Sequence, residues 1–482
     1  MKFDYDVAVI GGGAGGLTAA KTARGFGKRV VIIEKTGRLG GECTWTGCVP
    51  SKTLIKAAQI AFQTKHMQKF GLKAKDRDLI DTTGVMDHAR ATVEQIYKTH
   101  TPERLVQEGI AVLFGIPSFL DSSHIQLDQD IITAKKIIIA TGSSPFIPSV
   151  EGIEHVSYLT NETLFNLKTL PASMIILGGG PIGVEMASAL NRLGVSITLI
   201  EMQDRILARD DKELVELLTP ILTKEGITLL TGTRATKVKE QNNKIIVTCI
   251  HENKIIDIQA ETLLVATGRK PNVDDLGLSN AKIQTNKKGI IVDQYLRTTA
   301  PTIYACGDVV GPYLFSHMAW CQAVIATRNA LIPFFKKSVD YSNVIWVTFS
   351  APSLATAGMT EEAAREKYGD VVNIYKHSYD KIDRAHIDNA TSGLIKVITD
   401  KKNKILGVHI LGERAGDIVH ELQEAKTKGI HLSDLQDVIH AYPTYAELNW
   451  AVAKSAYLEK LERNIVIRLL KWLFFKKNKE VN

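Results

Sequence analysis

Hydrophobic and polar positions repeat along the chain in a way that predicts two similar strand–helix–strand units. Residues 5–10 form a short apolar run typical of a buried strand, a helical pattern follows, and residues 29–33 form a second strand. The same order returns with a strand over 174–177, a helix over 186–193 and a strand over 196–200. Parallel strands separated by helices are typical of α/β proteins, so the pattern predicts that class of fold.

The remaining segments predict further strands and a change of architecture near residue 343. Helices are expected over residues 57–70 and within 85–108, and short strands are expected over 131–133 and from residue 136. After residue 343 the pattern indicates a separate α+β region. Its predicted strands are 345–349, 372–376, 394–399 and 405–411, and its predicted helices are 361–368 and 418–428.

A glycine-rich turn follows the first strand of each unit. In the first unit Gly11, Gly13 and Gly16 have the G-x-G-x-x-G spacing, and Glu34 ends the next strand. Such glycines allow a tight turn, close approach of a pyrophosphate and close helix–strand packing, while the acid accepts hydrogen bonds from a ribose. The complete order therefore predicts a dinucleotide site, with a ligand-free turn as the alternative.

The second unit repeats this turn and is also followed by an acid, Glu201. The glycines of the second turn are Gly178, Gly180 and Gly183. An acid at this position favours an unphosphorylated 2′-hydroxyl, and therefore NAD over NADP. Arg205 and Arg209 follow closely, so a 2′-phosphate stays as the alternative. We therefore predict two dinucleotide-binding domains in one chain.

Two cysteines with chemical potential lie between these units. Cys43 and Cys48 directly precede a helical pattern that includes Pro50, and proline suits a first helical turn. The free N–H groups and positive dipole of a helix start favour a thiolate, as does Lys52 nearby. The spacing lets the two sulfurs come within disulfide distance. The segment predicts a switchable dithiol; buried unpaired cysteines and half of a zinc site are the alternatives.

Composition and charge narrow the class of protein only a little. A net charge of +7 is modest for 482 residues, so nucleic-acid binding is not expected. Five cysteines suit a reducing, cytoplasmic compartment, and no second Cys or His pair suggests a metal site. The early strand leaves no room for a signal peptide, and no run approaches the roughly 18 apolar residues of a spanning helix. Cys249, Cys306 and Cys321 are expected to be small buried side chains.

These features together resemble the FAD-dependent pyridine nucleotide–disulfide oxidoreductases. The resemblance rests on the dithiol between two glycine turns, on A-T-G turns at 140–142 and 266–268, and on the run 299–308, which ends in Asp308. It covers nearly the whole chain, and the form Gly-Gly-x-Cys-x-x-x-x-Gly-Cys-x-Pro-Ser-Lys is highly specific. Within the family, the chain looks most like mercuric reductase-like and dihydrolipoamide dehydrogenase-like proteins.

The resemblance implies an α/β fold with two Rossmann-like domains and a C-terminal α+β dimerisation domain. Residues 1–148 and 273–342 would bind FAD, and residues 149–272 would bind NAD(P). Residues 343–462 would form the dimerisation domain, followed by a basic, apolar tail over 463–482. It further implies a homodimer in which the segment 440–447 reaches the partner's active site.

The resemblance also implies a role for each motif residue. Cys48 would lie against the flavin and Cys43 would face the substrate, while Lys52 would pair with Glu185 beside the flavin. The candidates for binding FAD are Gly11, Gly13, Gly16, Glu34, Gly41, Thr141, Gly142, Asp308, His317 and Ala319. The candidates for binding NAD(P) are Gly178, Gly180, Gly183, Glu201 and Gly268.

The substrate side departs from the family pattern. Disulfide reductases of the family carry a His before Pro-Thr, oriented by a Glu five residues later; here Tyr442 stands in that place and Glu447 is kept. Tyrosine, with an ordinary pKa near 10, is a poor base at neutral pH. His440 is the alternative acid–base candidate. The mercuric branch also lacks that His, but it delivers metal through a C-terminal cysteine pair, and no cysteine follows Cys321 here.

The tail is the second departure. Residues 465–475 contain nine apolar side chains interrupted by Arg468 and Lys471, and three lysines follow within the next four positions. Eleven residues cannot span a bilayer, but a basic, aromatic helix can lie in its interface. Packing along the partner subunit is the ordinary explanation of such a tail, and peripheral contact with the inner face of the membrane is the alternative.

The leading functional prediction is an FAD-dependent oxidoreductase acting on a sulfur group. It would take hydride from NAD(P)H, with NADH preferred, and pass electrons through Cys43 and Cys48 to a disulfide, a thiol-bound metal or a similar small acceptor. A second hypothesis is a membrane-associated NADH:quinone-type reductase anchored by the tail. A third is a lipoamide dehydrogenase-like component of a larger complex.

Overall fold

The computed structural model describes residues 2–73 and 80–475, with side chains up to residue 470. Contacts divide the chain into two units. The first unit comprises Met1–Asp204 and Ile227–Asp340, and the second comprises Arg205–Gly226 and Tyr341–Asn482.

A seven-stranded sheet carries the first unit. Its central strands are rich in Val and Ile, and Val30–Glu34 is buried along its whole length, as expected for a parallel sheet covered on both faces. Asp130–Ile139 pairs in parallel with Tyr5–Ile10 and also with Ile303–Ala305. The strand order is Ile110–Phe114, Val30–Glu34, Tyr5–Ile10, Asp130–Ile139, His124–Leu127 and Pro117–Phe119.

A second, four-stranded parallel sheet in the same unit carries the second glycine turn. Its order is Thr228–Leu230, Ser196–Ile200, Ser173–Leu177 and Thr262–Val265. An antiparallel sheet consists of Thr233–Gln241, Lys244–His251 and Lys254–Ala260. Two small ribbons pair Ser143–Pro145 with Arg269–Pro271, and Thr285–Asn286 with Gly289–Ile290. The helices of this unit are Ala14–Gly25, Gly41–Trp45, Cys48–Lys65, Thr82–Tyr97, Pro102–Gln107, Asn161–Leu164, Pro181–Arg192 and Ser316–Leu331.

The second unit is an antiparallel sheet covered by helices. Its strands, in spatial order, are Ile345–Thr348, Ser353–Gly358, Ile405–Gly412, Leu394–Thr399 and Asn373–Ser378. Its helices are Lys212–Lys224, Glu361–Tyr368, Asp383–Ile387, Ala415–Lys428, Glu447–Arg463 and Ile465–Phe475. The predicted α/β class with an α+β C-terminal region is confirmed.

Several local predictions need correction. The helix predicted over 57–70 is Cys48–Lys65 followed by a short 3-10 turn, Met67–Phe70, which ends at Gly71 in the left-handed conformation. The two strands expected around residues 131–139 are one continuous strand, Asp130–Ile139. Its first half pairs with His124–Leu127 and its second half pairs with Tyr5–Ile10. The strand Ser353–Gly358 was not predicted, since its small side chains carry little hydrophobic periodicity.

The tail forms the predicted helix over Ile465–Phe475. Ile465, Val466, Leu469 and Leu470 are all exposed in this chain. Within the described residues, none of the helices has the length and apolar character needed to cross a membrane. The basic residues Lys476, Lys477 and Lys479 of the predicted tail lie outside the described residues.

Candidate functional site

The first glycine turn has a backbone that only glycine permits. Gly11 has a φ of +103°, and a Cβ there would collide with the carbonyl of Ala140. A Cβ on Gly16 would collide with the carbonyl of Gly11, so helix and strand approach each other too closely for any side chain. Glu34, at the end of the adjacent strand, is 7% exposed and accepts a hydrogen bond of 2.6 Å from the main-chain N–H of Gly12.

The redox segment folds directly onto this turn. The main-chain N–H of Gly40 donates to the carbonyl of Gly12 at 2.9 Å. A Cβ on Gly41 would lie 2.5 Å from the Cα of Gly13, so position 41 needs glycine for this close approach. Gly13 precedes the helix Ala14–Gly25, whose free N–H groups favour an anion. The residues present therefore fit the pyrophosphate of a dinucleotide such as FAD.

The second glycine turn repeats this geometry. Gly178 has a φ of +110°, and a Cβ on Gly183 would collide with the carbonyl of Gly178. Glu201 accepts hydrogen bonds from the main-chain N–H groups of Gly179, at 2.5 Å, and Gln203, at 2.7 Å. No heavy atom lies within 4 Å of a Cβ placed on Gly180, so that face of the turn is open to a ligand.

The residues that follow the two A-T-G turns lie near the carboxylate of the predicted FAD-binding acid, Asp308. The hydroxyl of Thr141 donates to the carbonyl of Asn272 at 2.7 Å, and Gly142 has a φ of +71°. The hydroxyl of the following residue, Ser143, donates to the carboxylate of Asp308 at 2.6 Å. Gly268 in the second turn has a φ of +145° and accepts a hydrogen bond of 2.9 Å from the main-chain N–H of Phe146.

The two cysteines meet at the start of the helix Cys48–Lys65. Both are free thiols in this structure, with Cys43 in the preceding short helix Gly41–Trp45. A hydrogen bond from Cys43, a second from the Ser316 hydroxyl and the charge of Lys52 lower the pKa of Cys48 to about 6, although burial opposes them. The hydrogen bond with Cys48, together with burial, raises the pKa of Cys43. These opposite shifts favour the thiolate at Cys48 and the protonated thiol at Cys43.

The predicted Lys52–Glu185 pair is present. Their ammonium and carboxylate groups are 2.8 Å apart, and the Glu185 side chain is only 7% exposed. Glu185 lies on the helix Pro181–Arg192, which follows the second glycine turn. The pair therefore connects the dithiol helix to the helix of the second nucleotide turn.

The helix Ser316–Leu331 supplies a residue that the sequence did not indicate. The Ser316 hydroxyl lies 3.4 Å from the sulfur of Cys48. Among the residues that were predicted, the His317 ring stacks on Phe315 with centroids 5.3 Å apart, and Ala319 is buried. One expectation on this helix is wrong: Cys321 is exposed, whereas Cys249 and Cys306 are buried as expected.

A partly buried ion pair next to Cys43 was also missed. The carboxylate of Glu42 accepts two hydrogen bonds from the guanidinium of Arg269 and one of 2.5 Å from the amide of Asn161. Arg269 also lies 3.7 Å from the carboxylate of Asp308. Burial raises the pKa of Glu42, although Arg269 opposes the shift. Glu42 thus connects the redox segment to the residue that follows the second A-T-G turn, which contains Gly268.

The predicted substrate-side residues lie in the second unit. The hydroxyl of Tyr442 donates to the carboxylate of Asp383 at 2.6 Å, and that hydrogen bond raises the pKa of Tyr442. His440 contacts the carboxylate of Glu421 at 2.9 Å, and its side chain is 8% exposed. Glu447 accepts a hydrogen bond of 3.0 Å from the main-chain N–H of Thr444. The structure thus gives Tyr442 and His440 separate carboxylate partners.

No group of three or more His, Cys, Asp or Glu side chains within the described part of the chain is placed to hold a metal ion.

Comparison with known proteins agrees with this geometry. The family model described as pyridine nucleotide-disulphide oxidoreductase matches residues 5–330, and the model of that family's dimerisation domain matches residues 344–452. The chain therefore belongs to the pyridine nucleotide-disulphide oxidoreductase family, as predicted. It is an FAD-dependent oxidoreductase of the class that acts on sulfur groups and uses a pyridine nucleotide, and it carries the family's dimerisation domain.

Named relatives fall into the two predicted groups. A mercuric reductase of Staphylococcus aureus is 36% identical over 454 residues, covering 92% of this chain and 81% of that one. A dihydrolipoyl dehydrogenase of Chlamydia pneumoniae is 34% identical over 458 residues, covering 94% and 96%. Among solved structures, the Cu(II) complex of the HOCl-induced flavoprotein disulfide reductase RclA of Escherichia coli superposes with a TM-score of 0.84 at 29% identity, covering 94% of this chain and all of that one.

Proposed function

We propose that this protein oxidises NAD(P)H and reduces a small disulfide or thiol-bound acceptor through Cys43 and Cys48. In the first half-reaction, NAD(P)H, one proton and the Cys43–Cys48 disulfide give NAD(P)⁺ and two thiols. In the second, the dithiol reduces the acceptor and returns to the disulfide, so that a disulfide acceptor leaves as two thiols. The single observation that carries the proposal is the hydrogen-bonded pair with Cys48 favoured as the thiolate.

Each side chain of the site has a distinct task in this proposal. FAD, when bound, supplies the transfer of an electron pair between the nicotinamide and the disulfide. Ser316 and Lys52 stabilise the negative charge on Cys48, leaving Cys43 as the sulfur that attacks the acceptor. Glu185 holds the ammonium of Lys52 beside the dithiol at 2.8 Å.

The acceptor is expected to need little proton transfer from the protein. The hydrogen bond from Tyr442 to Asp383 makes that phenol a weaker acid, so it donates a hydrogen bond but does not serve as a base near pH 7. An acceptor whose leaving groups are good anions, such as a low-pKa disulfide or a thiol-bound metal, suits this arrangement better than lipoamide.

An acceptor panel tests this proposal. Steady-state NADH oxidation would be measured with lipoamide, glutathione disulfide, a low-pKa aromatic disulfide, Hg(II) in excess thiol, a quinone and oxygen. We expect the aromatic disulfide or Hg(II) to exceed lipoamide by at least tenfold, and Tyr442→His to raise lipoamide turnover by roughly 10²-fold. Fast lipoamide turnover by the natural chain would contradict the proposed acceptor and favour the lipoamide dehydrogenase-like hypothesis.

We further propose that NADH is the preferred donor. Glu201 is fixed by the N–H groups of Gly179 and Gln203, where it can accept hydrogen bonds from a ribose. Arg205, one of the two arginines that could bind a 2′-phosphate, instead contacts the carbonyl of Ala208 at 3.2 Å and Glu362 at 3.5 Å within the second unit. A kcat/KM ratio of NADH to NADPH above tenfold supports this choice, and a ratio below one contradicts it.

The active form is proposed to be a homodimer in which the segment 440–447 faces the partner's dithiol. The family's dimerisation domain supports this arrangement. Mixing a Cys48→Ser protein with a Tyr442→Asp protein tests it, because exchanged dimers contain one complete site. Activity that rises on mixing above the sum of the parents supports the shared site, and no rise argues against it.

A second candidate function places the acceptor at a membrane. The observation that favours it is the exposed apolar surface of the tail helix, where Ile465 is 71% and Leu469 is 52% exposed next to Arg468. Such a helix fits the interface of an anionic bilayer. The full chain and a chain ending at residue 464 would be sedimented with anionic and with neutral vesicles. Sedimentation of the full chain but not of the shortened chain, with anionic but not with neutral vesicles, supports membrane contact. Equal recovery of the two chains excludes it.

A further inference from the structure

A cation-lined recess lies in the first unit at the edge of the sheet away from the first glycine turn. The recess includes Asp6, near the start of the strand Tyr5–Ile10, whereas Gly11 follows the end of that strand. It also includes Lys136, which lies opposite Val7 in the neighbouring strand. At about 3.3 Å per residue, the strand separates the recess from the turn by roughly 15 Å. The recess is therefore distinct from the predicted FAD site.

The charge of the recess is strongly one-sided. Its volume is about 360 Å³, within the range of small-molecule sites. Its one acid, Asp6, already accepts a hydrogen bond of 2.9 Å from the main-chain N–H of Arg29 and lies 3.5 Å from the Arg29 guanidinium. The charged side chains that line it are Lys28, Lys135, Lys136, Arg297, Lys336 and Asp6.

In the part of the chain that the structure describes, three of these lysines have no carboxylate within ion-pair distance, although the charge of Lys28 acts on Asp6 from further away. Within the described residues, Lys28, Lys135 and Lys136 form no ion pair with a carboxylate. Burial and the neighbouring charges, first that of Lys135, lower the pKa of Lys136. Like charges that share a partly buried recess repel one another, and a bound anion would remove that cost.

Within the described residues, the lysines of this cluster make no hydrogen bond to the last turn of the neighbouring helix. The helix Ser316–Leu331 ends at the recess, and cations often lie near helix C-termini. Here, however, the hydroxyl of Tyr304 donates to the carbonyl of Asn329 at 3.1 Å in that last turn. Lys336 lies over the ring of Tyr295 at 5.6 Å. The three lysines without ion pairs are therefore available to a ligand.

We propose that this recess binds a small anion with two or more phosphate groups, at a site separate from both dinucleotide turns. Lysines bind phosphate oxygens as point charges and can donate three hydrogen bonds each, so several of them around one recess favour a multiply charged ligand over a single carboxylate. The ligand is inorganic pyrophosphate or a phosphorylated metabolite, which share this chemistry.

Calorimetric titration tests the site with the FAD-loaded protein saturated with NAD⁺, which keeps the second glycine turn occupied. Inorganic pyrophosphate is expected to bind the natural chain with one site per protomer. The double variant K135Q/K136Q should weaken this binding at least tenfold, the equivalent of losing one charge-assisted hydrogen bond. The matched control K287Q/K288Q removes the same charge from an exposed pair outside the recess and should change the affinity less than twofold.

Three outcomes would overturn the proposal: no pyrophosphate binding by the natural chain, equal weakening in both double variants, or sulfate binding as tightly as pyrophosphate. A sugar bisphosphate serves as a second probe. Tighter binding of either probe supports the site and identifies which of the two classes of ligand it takes. Lys28→Gln serves as an independent variant if K135Q/K136Q does not fold. It should also weaken binding, and an unchanged affinity would count against the site.

Discussion

At the scale of single residues, the chemistry depends on how the two sulfurs are made different. Cys43 and Cys48 have the same side chain, but Cys48 lies at a helix start within reach of Ser316 and Lys52. These contacts favour the thiolate at Cys48, and the hydrogen bond between the sulfurs keeps the proton on Cys43. The difference in thiol pKa between the two cysteines can be measured directly.

The first prediction concerns the rate of alkylation of the dithiol form as a function of pH. Because the thiolate is the reactive species, Cys48 should reach half its maximal rate near pH 6. Cys43→Ala, which removes the main hydrogen bond, should move that midpoint upward by at least one unit. Mass spectrometry of the labelled peptides gives both rates. Cys321, whose pKa is raised by partial removal of the sulfur from solvent, is the internal control, and a common midpoint for Cys48 and Cys321 would contradict the account.

The second prediction concerns the ion pair beside Cys43. Removal of the Glu42 carboxylate leaves the guanidinium of Arg269, whose side chain is 11% exposed, without its nearest carboxylate, since Asp308 is 3.7 Å away. We expect Glu42→Ala to lower the free energy of unfolding by roughly 3 kcal/mol. Glu151→Ala, which breaks the exposed pair with Lys237, should cost less than about 1 kcal/mol. Urea unfolding of the FAD-loaded proteins measures both, and similar losses would contradict the importance of burial.

At the scale of elements, the glycine turns were predictable because local geometry dictates their spacing. Gly11 and Gly178 have positive φ, and Gly16 and Gly183 each approach the carbonyl of the glycine five residues earlier in the same turn. Pairing between distant segments was not predictable: Glu42 and Arg269 are 227 residues apart, and no periodicity connects them. The position of Ser316 depends likewise on how its helix packs against the dithiol helix.

The third prediction separates the two roles of glycine in the second turn. Gly183→Ala should destabilise the fold, because its Cβ meets the backbone carbonyl of Gly178. Gly180→Ala should leave the melting temperature unchanged but weaken NADH binding at least tenfold, because its Cβ projects into space that is open in this structure. Thermal unfolding and NADH titration test both variants. Loss of stability in Gly180→Ala would show that its role is structural instead.

At the scale of the whole molecule, the pH dependence of stability should reflect a buried acid of the second unit. Asp210 is 2% exposed and accepts hydrogen bonds from Trp346 at 2.9 Å and from Thr356 at 2.7 Å. Burial raises its pKa to about 6, even though both hydrogen bonds oppose the shift. This pKa lies above the value of about 3.9 in the unfolded chain. The contribution of Asp210 to the free energy of unfolding is therefore complete below pH 4 and is lost as the pH rises through 6.

The fourth prediction follows from that sign. Asp210→Asn keeps an acceptor oxygen but carries no charge, so it should match the natural chain near pH 4. By pH 7 it should be more stable by about 3 kcal/mol, the value of a two-unit pKa shift. Urea unfolding at several pH values across this range measures the difference in the free energy of unfolding between the two proteins. The other titrating groups are common to both proteins, so their effects cancel in this difference. A difference that does not vary with pH would contradict the role of burial.

The central claim is that Cys43 and Cys48 carry the electrons from the nicotinamide. The most direct test is to label thiols with iodoacetamide in the air-oxidised, FAD-loaded protein before and after anaerobic addition of one equivalent of NADH. We predict that Cys43 and Cys48 are both unlabelled before NADH and that both become labelled after it, Cys48 first because it is the favoured thiolate, while Cys321 is labelled in both samples. Labelling of the two cysteines that does not depend on NADH would contradict the account.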